Sequence, residues 1–345
     1  MLISTELWLI AAAVGACALP ITMFLTGRVR KYLLSQGILD EPGERSSHTV
    51  PTPRGAGLAV VPVTIVALGV LLTTGAIFAG IAGWMIIAGM AVLATISWMD
   101  DQRGLSPLVR LIAQAGWVVL GLWTLPGDRM IFNGALPLIV DHVIVAVLWL
   151  WFVNVFNFMD GIDGLAGTET VTIGIGLVLV ALIQPVLFSL GSIGFVLAGV
   201  GAGFLLWNWP PARIFLGDVG SVPLGYLIGW VLMCLAVQGA WTIALILPAY
   251  YLGDATLTLI LRLKRGQRIW QAHRDHFYQK AVRGGMSHRQ VTMRIVFLNI
   301  ALIGFAAVAA IGPDGGYVGL AGAVIFVGLR LWYFGRRLKE PGIGH

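Results

Sequence analysis

Several short polar stretches interrupt long apolar runs in this chain, and they carry the side chains that could do chemistry. Charged groups at a membrane are expensive to bury, so they usually mark a functional site. Carboxylates and amides supply oxygen ligands, which suit Mg²⁺ (or, alternatively, Mn²⁺) better than zinc. The side chains of this kind are Asp100, Asp101, Asn154, Asn157, Asp160, Asp163 and Asp218.

The spacing of the acids narrows what they could do. Repulsion and burial raise the pKa of adjacent carboxylates, which prepares Asp100 or Asp101 for general-base or metal work; the alternative is a solvated helix end. Asp160 and Asp163 share one face if their turn is helical, and otherwise belong to a polar turn between helices. The Gly-Asp-Val-Gly-Ser stretch around Asp218 favours close approach to phosphate, or is an ordinary turn before a helix.

Two basic loops add groups that bind anions. The stretch 262–292 holds His273, Arg274 and His276. Zinc is disfavoured there because no Cys or carboxylate trio completes a site. A diphosphate suits this loop better, with lipid headgroup binding as the alternative. The stretch 40–57 supplies His48 and Arg54 as anion-binding donors, and a disordered linker is its alternative.

The composition predicts the elements that must position these groups. The chain has 345 residues, of which 58% are hydrophobic and 11% charged, and its mean hydropathy is +0.89. A membrane span needs about 20 mostly apolar residues. We therefore predict an all-α polytopic membrane protein of about eleven transmembrane helices, forming one domain over 1–345. The spans are 5–27, 56–75, 77–98, 107–125, 139–158, 167–185, 188–207, 219–238, 241–261, 293–311 and 317–335.

Basic residues predict how the spans are oriented, because Lys and Arg concentrate in cytoplasmic loops. The rule places the N-terminus outside and the C-terminus in the cytoplasm. The net charge of +6 reflects this asymmetry and contact with anionic lipid headgroups rather than nucleic acid. All the polar loops then fall on the cytoplasmic face, which predicts one shared active site. These loops are 28–54, 99–106, 158–166, 208–218 and 262–292.

Taken together, the motifs resemble the polyprenyl-phosphate N-acetylhexosamine-1-phosphate transferase superfamily. They are Asp100-Asp101, the Asn-x-x-Asn-Phe-Met-Asp-Gly-Ile-Asp-Gly-Leu-Ala-Gly stretch at 154–167, Phe-Leu-Gly-Asp-Val-Gly-Ser at 215–221 and His-Arg-Asp-His at 273–276. The stretches Arg-Ser-Ser-His at 45–48 and Pro-Thr-Pro-Arg-Gly at 51–55 look most like the branch that initiates lipopolysaccharide O-antigen. The stretch 262–292, called the histidine loop below, departs from the triple-His form of the muramoyl-pentapeptide branch. This difference argues against a muramoyl-pentapeptide substrate.

The resemblance implies a UDP-activated amino sugar and Mg²⁺ on the cytoplasmic face of a bacterial inner membrane. Undecaprenyl phosphate attacks the β-phosphorus of the nucleotide sugar and UMP leaves, which starts a cell-surface glycan. Asp100 deprotonates or orients the lipid phosphate with help from Asp101, and Asp218 binds Mg²⁺ with Asn157. The residues that the resemblance implies for binding the diphosphate, the sugar and the nucleoside are Asn154, Asp160, Asp163, His48, Arg54, His273, Arg274 and His276.

A proton-coupled membrane transporter is the alternative function. Its proton relay would use the intramembrane acids Asp254 and Glu169, since transporter sites lie near the bilayer midplane. Asp254 could instead hold helices together through Thr256 or Thr258. The other acids cluster at cytoplasmic helix ends, which favours the enzyme. The choice of UDP-sugar stays open, as does assembly into a homodimer.

Overall fold

The computed structural model describes residues 5–41, 50–77, 80–126, 131–132, 135–268 and 273–337. About four fifths of these residues are helical, as expected for an all-α protein. Two strands of two residues each, β1 (Leu39–Asp40) and β2 (Thr52–Pro53), pair antiparallel. The helices are α1 (Thr5–Ser35), α2 (Gly57–Thr73), α3 (Ile81–Arg103), α4 (Pro107–Leu122), α5 (Leu138–Met159), α6 (Leu165–Ile183), α7 (Phe188–Asn208), α8 (Asp218–Val237), α9 (Trp241–Ile246), α10 (Ala249–Lys264), α11 (Phe277–Arg283), α12 (His288–Ala309) and α13 (Pro313–Arg336).

Among the described residues, eight helices are long and apolar enough to cross a membrane: α1, α3, α5, α6, α7, α8, α12 and α13. Two further predicted spans correspond to the shorter apolar helices α2 and α4. The predicted span 241–261 is wrong as one continuous helix. It is broken into α9 and α10 at Pro248, because proline lacks the backbone N–H and its ring clashes with the preceding turn.

Helix α8 forms the centre of the bundle, and the whole of its membrane-length segment is buried. Two glycines one turn apart explain the close contact with α5. A Cβ on Gly225 would lie 3.0 Å from that of Phe156, and one on Gly229 would lie 2.5 Å from the Trp149 ring. Small residues at this spacing let membrane helices approach closely. The first residue of this buried helix is Asp218, so the packing of α8 fixes where that carboxylate lies.

The helix boundaries revise the predicted loops. Helix α1 continues to Ser35, so residues 28–35 are helical rather than part of a loop 28–54. Residues 99–103 are the last turn of α3, and the stretch 262–292 contains all of α11.

The described chain starts and ends at opposite ends of the bundle. The last turns of α1 contact the 208–218 loop, where Arg30 Nε donates to the Arg213 carbonyl at 3.0 Å. The end of α13 contacts α11, since a Cβ on Gly284 would lie 2.7 Å from the Arg337 carbonyl oxygen. We call the end that carries Arg54, Asp218 and His276 the site face. Opposite ends agree with an odd number of spans, and a cytoplasmic site face stays a prediction.

Candidate active site

The segment that follows β2 is fastened to the segment that precedes α8. The Phe215 N–H donates to the Pro53 carbonyl at 2.8 Å, and the Gly55 N–H donates to the Phe215 carbonyl at 3.0 Å. Gly57 then lies directly against Gly220, where an added Cβ would be 2.2 Å from the backbone nitrogen. This backbone pairing brings Arg54 beside the start of α8, although 164 residues separate Arg54 from Asp218.

Arg54 lies between two carboxylates of the predicted site. Its Nη2 donates to Asp218 Oδ1 at 2.5 Å and lies 3.5 Å from Asp101 Oδ1. Burial opposes the charge on Arg54, but Asp218 and Asp101 outweigh it and raise the pKa of the guanidinium above its usual value. Arg54 is therefore a permanent positive charge, and it joins the end of α3 to the start of α8.

Arg110 is a site residue that the sequence analysis did not identify. Its Nη1 donates to Asp100 Oδ2 at 2.8 Å and lies 3.3 Å from Asp218 Oδ2. Ser106 caps α4 by accepting from the Val109 N–H, which fixes the first turn from which Arg110 projects. The signal was present, since an arginine inside a predicted span is a functional candidate by default.

The two adjacent acids have different surroundings. Asp100 is fully engaged, because Oδ1 accepts from the Leu105 N–H at 2.7 Å while Oδ2 accepts from Arg110. Asp101 keeps its Oδ2 buried without a hydrogen-bond partner among the described residues. That oxygen faces the start of α8, where a Cβ on Gly217 would lie 3.4 Å away. Of the two acids, Asp101 retains the oxygen that is free to bind something else.

The amides of α5 belong to the same end of the bundle. Asn157 Oδ1 accepts from the Ser221 hydroxyl at 2.7 Å, so Asn157 contacts α8 one turn from Asp218. Asn154 lies one turn deeper and donates from Nδ2 to Gln114 Oε1 at 3.0 Å. Asn157 is thus close to the carboxylates, whereas Asn154 is paired with α4.

The structure separates Asp160 from Asp163. Their turn is not helical, since α5 ends at Met159 and α6 begins at Leu165, so the condition for a shared face is not met. Burial raises the pKa of Asp160 to about 8; the Arg54 charge acts against this shift, and the Asp218 carboxylate adds to it. Asp160 therefore belongs to the electrostatic surroundings of the cluster.

Asp163 is used to hold two other segments. Its Oδ2 accepts from the Ala212 N–H at 2.9 Å, and its Oδ1 lies 3.0 Å from His288 Nδ1. The Thr292 hydroxyl donates to the Asp163 carbonyl at 2.8 Å. Asp163 thus ties the 208–218 loop and α12 to the turn that carries Asp160. Its predicted contact with nucleotide or diphosphate stays a prediction.

The histidine loop is anchored by Asp254, a fully buried residue of α10. The carboxylate lies at the start of α11 and accepts both of the first backbone N–H groups of that helix. Capping of this kind satisfies donors that a helix terminus leaves unpaired. The five neighbouring donors are Phe277 N (2.9 Å), Tyr278 N (3.1 Å), Tyr250 Oη (3.0 Å), Thr258 Oγ1 (3.3 Å) and His276 Nδ1 (3.2 Å).

These contacts place His276 and α11 against the Asp160 turn. The Tyr278 hydroxyl donates to the Phe158 carbonyl at 3.2 Å and touches Gly161, where a Cβ would lie 2.1 Å away. The His276 ring stacks on Tyr278 at a centroid distance of 5.6 Å. A glycine at position 161 is required for this approach.

His273 and Arg274 precede the cap and are half-buried. The His273 ring lies 5.0 Å from His276. Burial, together with the electrostatic effect of the neighbouring His276 and Arg262, lowers the pKa of His273 to about 4. His273 is therefore neutral at physiological pH and would bind an anion as a hydrogen-bond donor rather than as a charge. His48 lies outside the described residues.

The two intramembrane acids both join helices. Asp254 joins α10 to α11 through the Phe277 and Tyr278 N–H groups rather than through a threonine. Its contact with Thr258 lies within α10, and Thr256 accepts instead from Trp151 Nε1 at 3.3 Å. Glu169 is fully buried on α6 and accepts from Asn299 Nδ2 of α12 at 2.7 Å.

The capacity for a metal depends on the oxygen atoms of the cluster. Among the residues that the structure describes, no three His, Cys, Asp or Glu side chains converge on one point. Mg²⁺ does not need such a cage, since it is usually held by one or two carboxylates plus substrate phosphates. The unpaired Asp101 Oδ2 and the neighbouring Asp218 and Asn157 supply oxygens of the right kind.

The fold and the site define a class: a polytopic helical membrane protein whose carboxylates and arginines interleave at one end of the bundle. The profile of glycosyl transferase family 4 matches residues 83–236. That range contains Asp101, Arg110, Asn157 and Asp218, so it covers the cluster except for Arg54.

Relatives of known name support the same assignment. Decaprenyl-phosphate N-acetylglucosaminephosphotransferase of Mycobacterium tuberculosis is 28% identical over 92% of this chain and 87% of its own length. A probable undecaprenyl-phosphate N-acetylglucosaminyl 1-phosphate transferase of Bacillus subtilis is 28% identical, over 88% and 85%. The phospho-N-acetylmuramoyl-pentapeptide-transferase of Streptococcus pneumoniae is 30% identical, over 59% and 65%. These matches confirm the resemblance of this chain to the polyprenyl-phosphate N-acetylhexosamine-1-phosphate transferase superfamily and support a phospho-sugar transferase.

Proposed function

We propose that this protein transfers an N-acetylhexosamine 1-phosphate from a UDP-sugar to undecaprenyl phosphate. An oxygen of the lipid phosphate bonds to the β-phosphorus of the UDP-sugar, and the bond from that phosphorus to the oxygen bridging the α-phosphate breaks. The products are the polyprenyl-diphospho-sugar and UMP. The observation that carries the proposal is the alternation of Arg54 and Arg110 with Asp100, Asp101 and Asp218.

The reaction requires this arrangement of charges. One phosphate anion must approach another, so cationic groups have to neutralise charge in the transition state. Arg54 and Arg110 supply permanent positive charge at the end of α3 and the start of α8. When a phosphate enters, their guanidinium groups can exchange a carboxylate partner for a phosphate oxygen, because a guanidinium group binds both kinds of anion.

Each remaining group has a role that follows from its contacts. Asp101, with its unpaired Oδ2, orients the lipid phosphate or accepts its proton, while Asp100 holds Arg110 in place. Asp160 faces the nucleotide diphosphate. His273 and His276 hold the diphosphate or sugar from the α11 side.

A divalent cation fits the oxygen donors of the cluster. Asp218 and Asn157 would hold Mg²⁺, or Mn²⁺ in its place, together with oxygens of the substrate diphosphate. When bound, the cation supplies Lewis-acid stabilisation of the charge on the phosphoryl oxygens.

The UDP-sugar and the pathway are the finer part of the proposal. The relatives that cover most of the chain carry N-acetylglucosamine in their names, so we propose UDP-N-acetylglucosamine or a related UDP-N-acetylhexosamine as donor. The product would be the first lipid-linked intermediate of a surface glycan, such as O-antigen. A site face in the cytoplasm of a bacterial inner membrane would give it access to the nucleotide sugar.

The test is UMP release from a panel of UDP-N-acetylhexosamines by purified protein with undecaprenyl phosphate and Mg²⁺. We expect release to require both lipid and metal, and a mass spectrum of the lipid product to show an added sugar phosphate. Asp218→Asn should lower kcat by about 10²–10³, the usual cost of removing one preorganised electrostatic contact. The matched control is Asp314→Asn, which makes the same change at an exposed residue in the first turn of α13.

Two results would contradict the proposal. One is the absence of UMP release across the whole panel by protein that is folded and monodisperse. The other is full activity of Asp218→Asn, which would remove this carboxylate from the site.

A further inference from the structure

A second cluster of cations lies away from the phosphotransfer site, in a groove between α12 and α13. The groove encloses about 470 Å³ and is walled by aromatic and aliphatic side chains. Phe297, Leu329 and Trp332 on its rim are more than half exposed, so the groove opens on the outer surface of the helix pair. Its polar lining residues are Arg330 and Tyr333.

The Nε–H donor of Arg330 is unsatisfied in this groove. Its Nε is buried and has no hydrogen-bond partner among the described residues, while the guanidinium lies 5.8 Å from the centre of the Phe334 ring. A buried donor without an acceptor is destabilising, and more so when it is charged. An acceptor from outside the chain would remove this cost.

Arg294 of α12 places a second positive charge beside the groove, next to its lining residue Tyr333. It lies 5.7 Å from the centre of the Tyr333 ring and close enough to Arg330 for the two charges to repel. The ion pairs found in the described part of the chain join other residues. Two neighbouring guanidinium groups that form no ion pair with a carboxylate among the described residues favour an anion with several acceptor oxygens.

We propose that this groove binds the headgroup phosphate of an anionic phospholipid. Arg330 lies about two turns before the end of α13, and Arg294 lies about two turns after the start of α12. That depth is where headgroups meet acyl chains, and basic pockets between transmembrane helices bind anionic headgroups. The apolar walls accept the beginning of the acyl chains, whereas a soluble nucleotide would leave them exposed to water.

A bound phospholipid would also brace the histidine loop from behind. Helix α11 packs on α13, where a Cβ on Gly335 would lie 3.3 Å from the Phe277 ring. Phe277 is the first residue of α11 and one of the two whose N–H groups Asp254 caps. Binding at the groove is independent of catalysis, so it can be measured without turnover.

The test is native mass spectrometry of the full-length protein, titrated with phosphatidylglycerol or phosphatidylcholine of the same acyl chains. We expect phosphatidylglycerol to bind at least tenfold more tightly. Arg330→Gln and, separately, Arg294→Gln should each remove most of that preference. The matched control is Arg289→Gln, which neutralises an exposed arginine on the same helix α12 and should change the affinity less than twofold.

The outcomes separate the proposal from its alternatives. Equal affinity for the two lipids, or unchanged preference in both variants, would overturn it. The proposal would also be overturned if equimolar undecaprenyl phosphate displaced phosphatidylglycerol from the unmodified protein and this displacement were lost in Arg330→Gln. That result would assign the groove to the substrate. Because the two variants lie on different helices, misfolding of one leaves the other as a test.

Discussion

Replacing Asp254 by asparagine isolates the contribution of one buried carboxylate to the histidine loop. Both oxygens of Asp254 accept hydrogen bonds, and each accepts one backbone N–H of α11, from Phe277 or Tyr278. An asparagine has one acceptor oxygen and one NH₂ group. In either orientation the NH₂ group therefore faces one of these backbone N–H groups, which can only donate, whereas the Tyr250 and Thr258 hydroxyls can turn to accept from it.

The expected cost follows from counting those donors. A buried donor that loses its acceptor costs about 1–3 kcal/mol, and at least one backbone N–H of α11 is left in that state. That cost is a large part of the about 5–15 kcal/mol that holds a typical protein folded. Since each 1 kcal/mol shifts the melting temperature by about 2–4 °C in a chain of 150–250 residues, we expect Asp254→Asn to lower it by at least about 2 °C.

The damage should be local, because Asp254 is the group that joins α10 to the start of α11. We expect trypsin to cleave the stretch 262–292 faster in detergent-solubilised Asp254→Asn, and sugar-phosphate transfer to fall as His276 loses its position. The control is Tyr250→Phe, which removes one donor and leaves the carboxylate with its backbone partners. It should show less than half the loss in melting temperature and normal cleavage.

One result would refute the reasoning. If Asp254→Asn kept its melting temperature and its resistance to trypsin but lost activity, the carboxylate would not serve as a cap. A proton-transfer role for Asp254 would then have to be considered again.

Two further predictions concern a backbone contact and a neutral histidine. Gly57→Ala would force a Cβ to within 2.2 Å of Gly220, so we expect about 1–3 kcal/mol of destabilisation and loss of transfer. The matched control is Gly116→Ala, which should leave the stability unchanged because no atom lies within 4 Å of the added Cβ. Equal stability of the two variants would contradict the prediction for Gly57. The low pKa of His273, about 4, means that it gains a proton only below about pH 4, so His273→Gln should lower kcat/KM equally from pH 5 to pH 8. A shift of the acidic limb of the pH profile would show that His273 titrates in that range.

Local patterns were sufficient for most of the helices and for the candidate residues. A long apolar run predicts a span wherever it occurs, because the backbone must satisfy its own hydrogen bonds in a bilayer. The break between α9 and α10 was the exception. Pro248 was visible in the sequence, yet hydropathy alone cannot distinguish a bent helix from two helices.

The groupings within the site were harder to predict, because they depend on which helix ends meet. Asp160 and Asp163 look equivalent in the sequence, but only Asp160 faces the carboxylate cluster, while Asp163 holds the 208–218 loop and α12. Arg110 was overlooked because it stands alone in an apolar run. Its meaning depends on Asp100 and Asp218, which belong to two other helices.

The sequence by itself determined that this is a polytopic membrane protein, and it predicted phosphate binding and metal binding by side chains in the loops between spans. That information is local: chain composition and short motifs. Only the tertiary structure decided which charges neutralise one another, and that Asp254 serves α11. The physical reason is that a charge inside a bundle is stabilised by partners within a few ångströms. Those partners are brought together by helix packing, here by the contact between Gly57 and Gly220 and by the burial of α8.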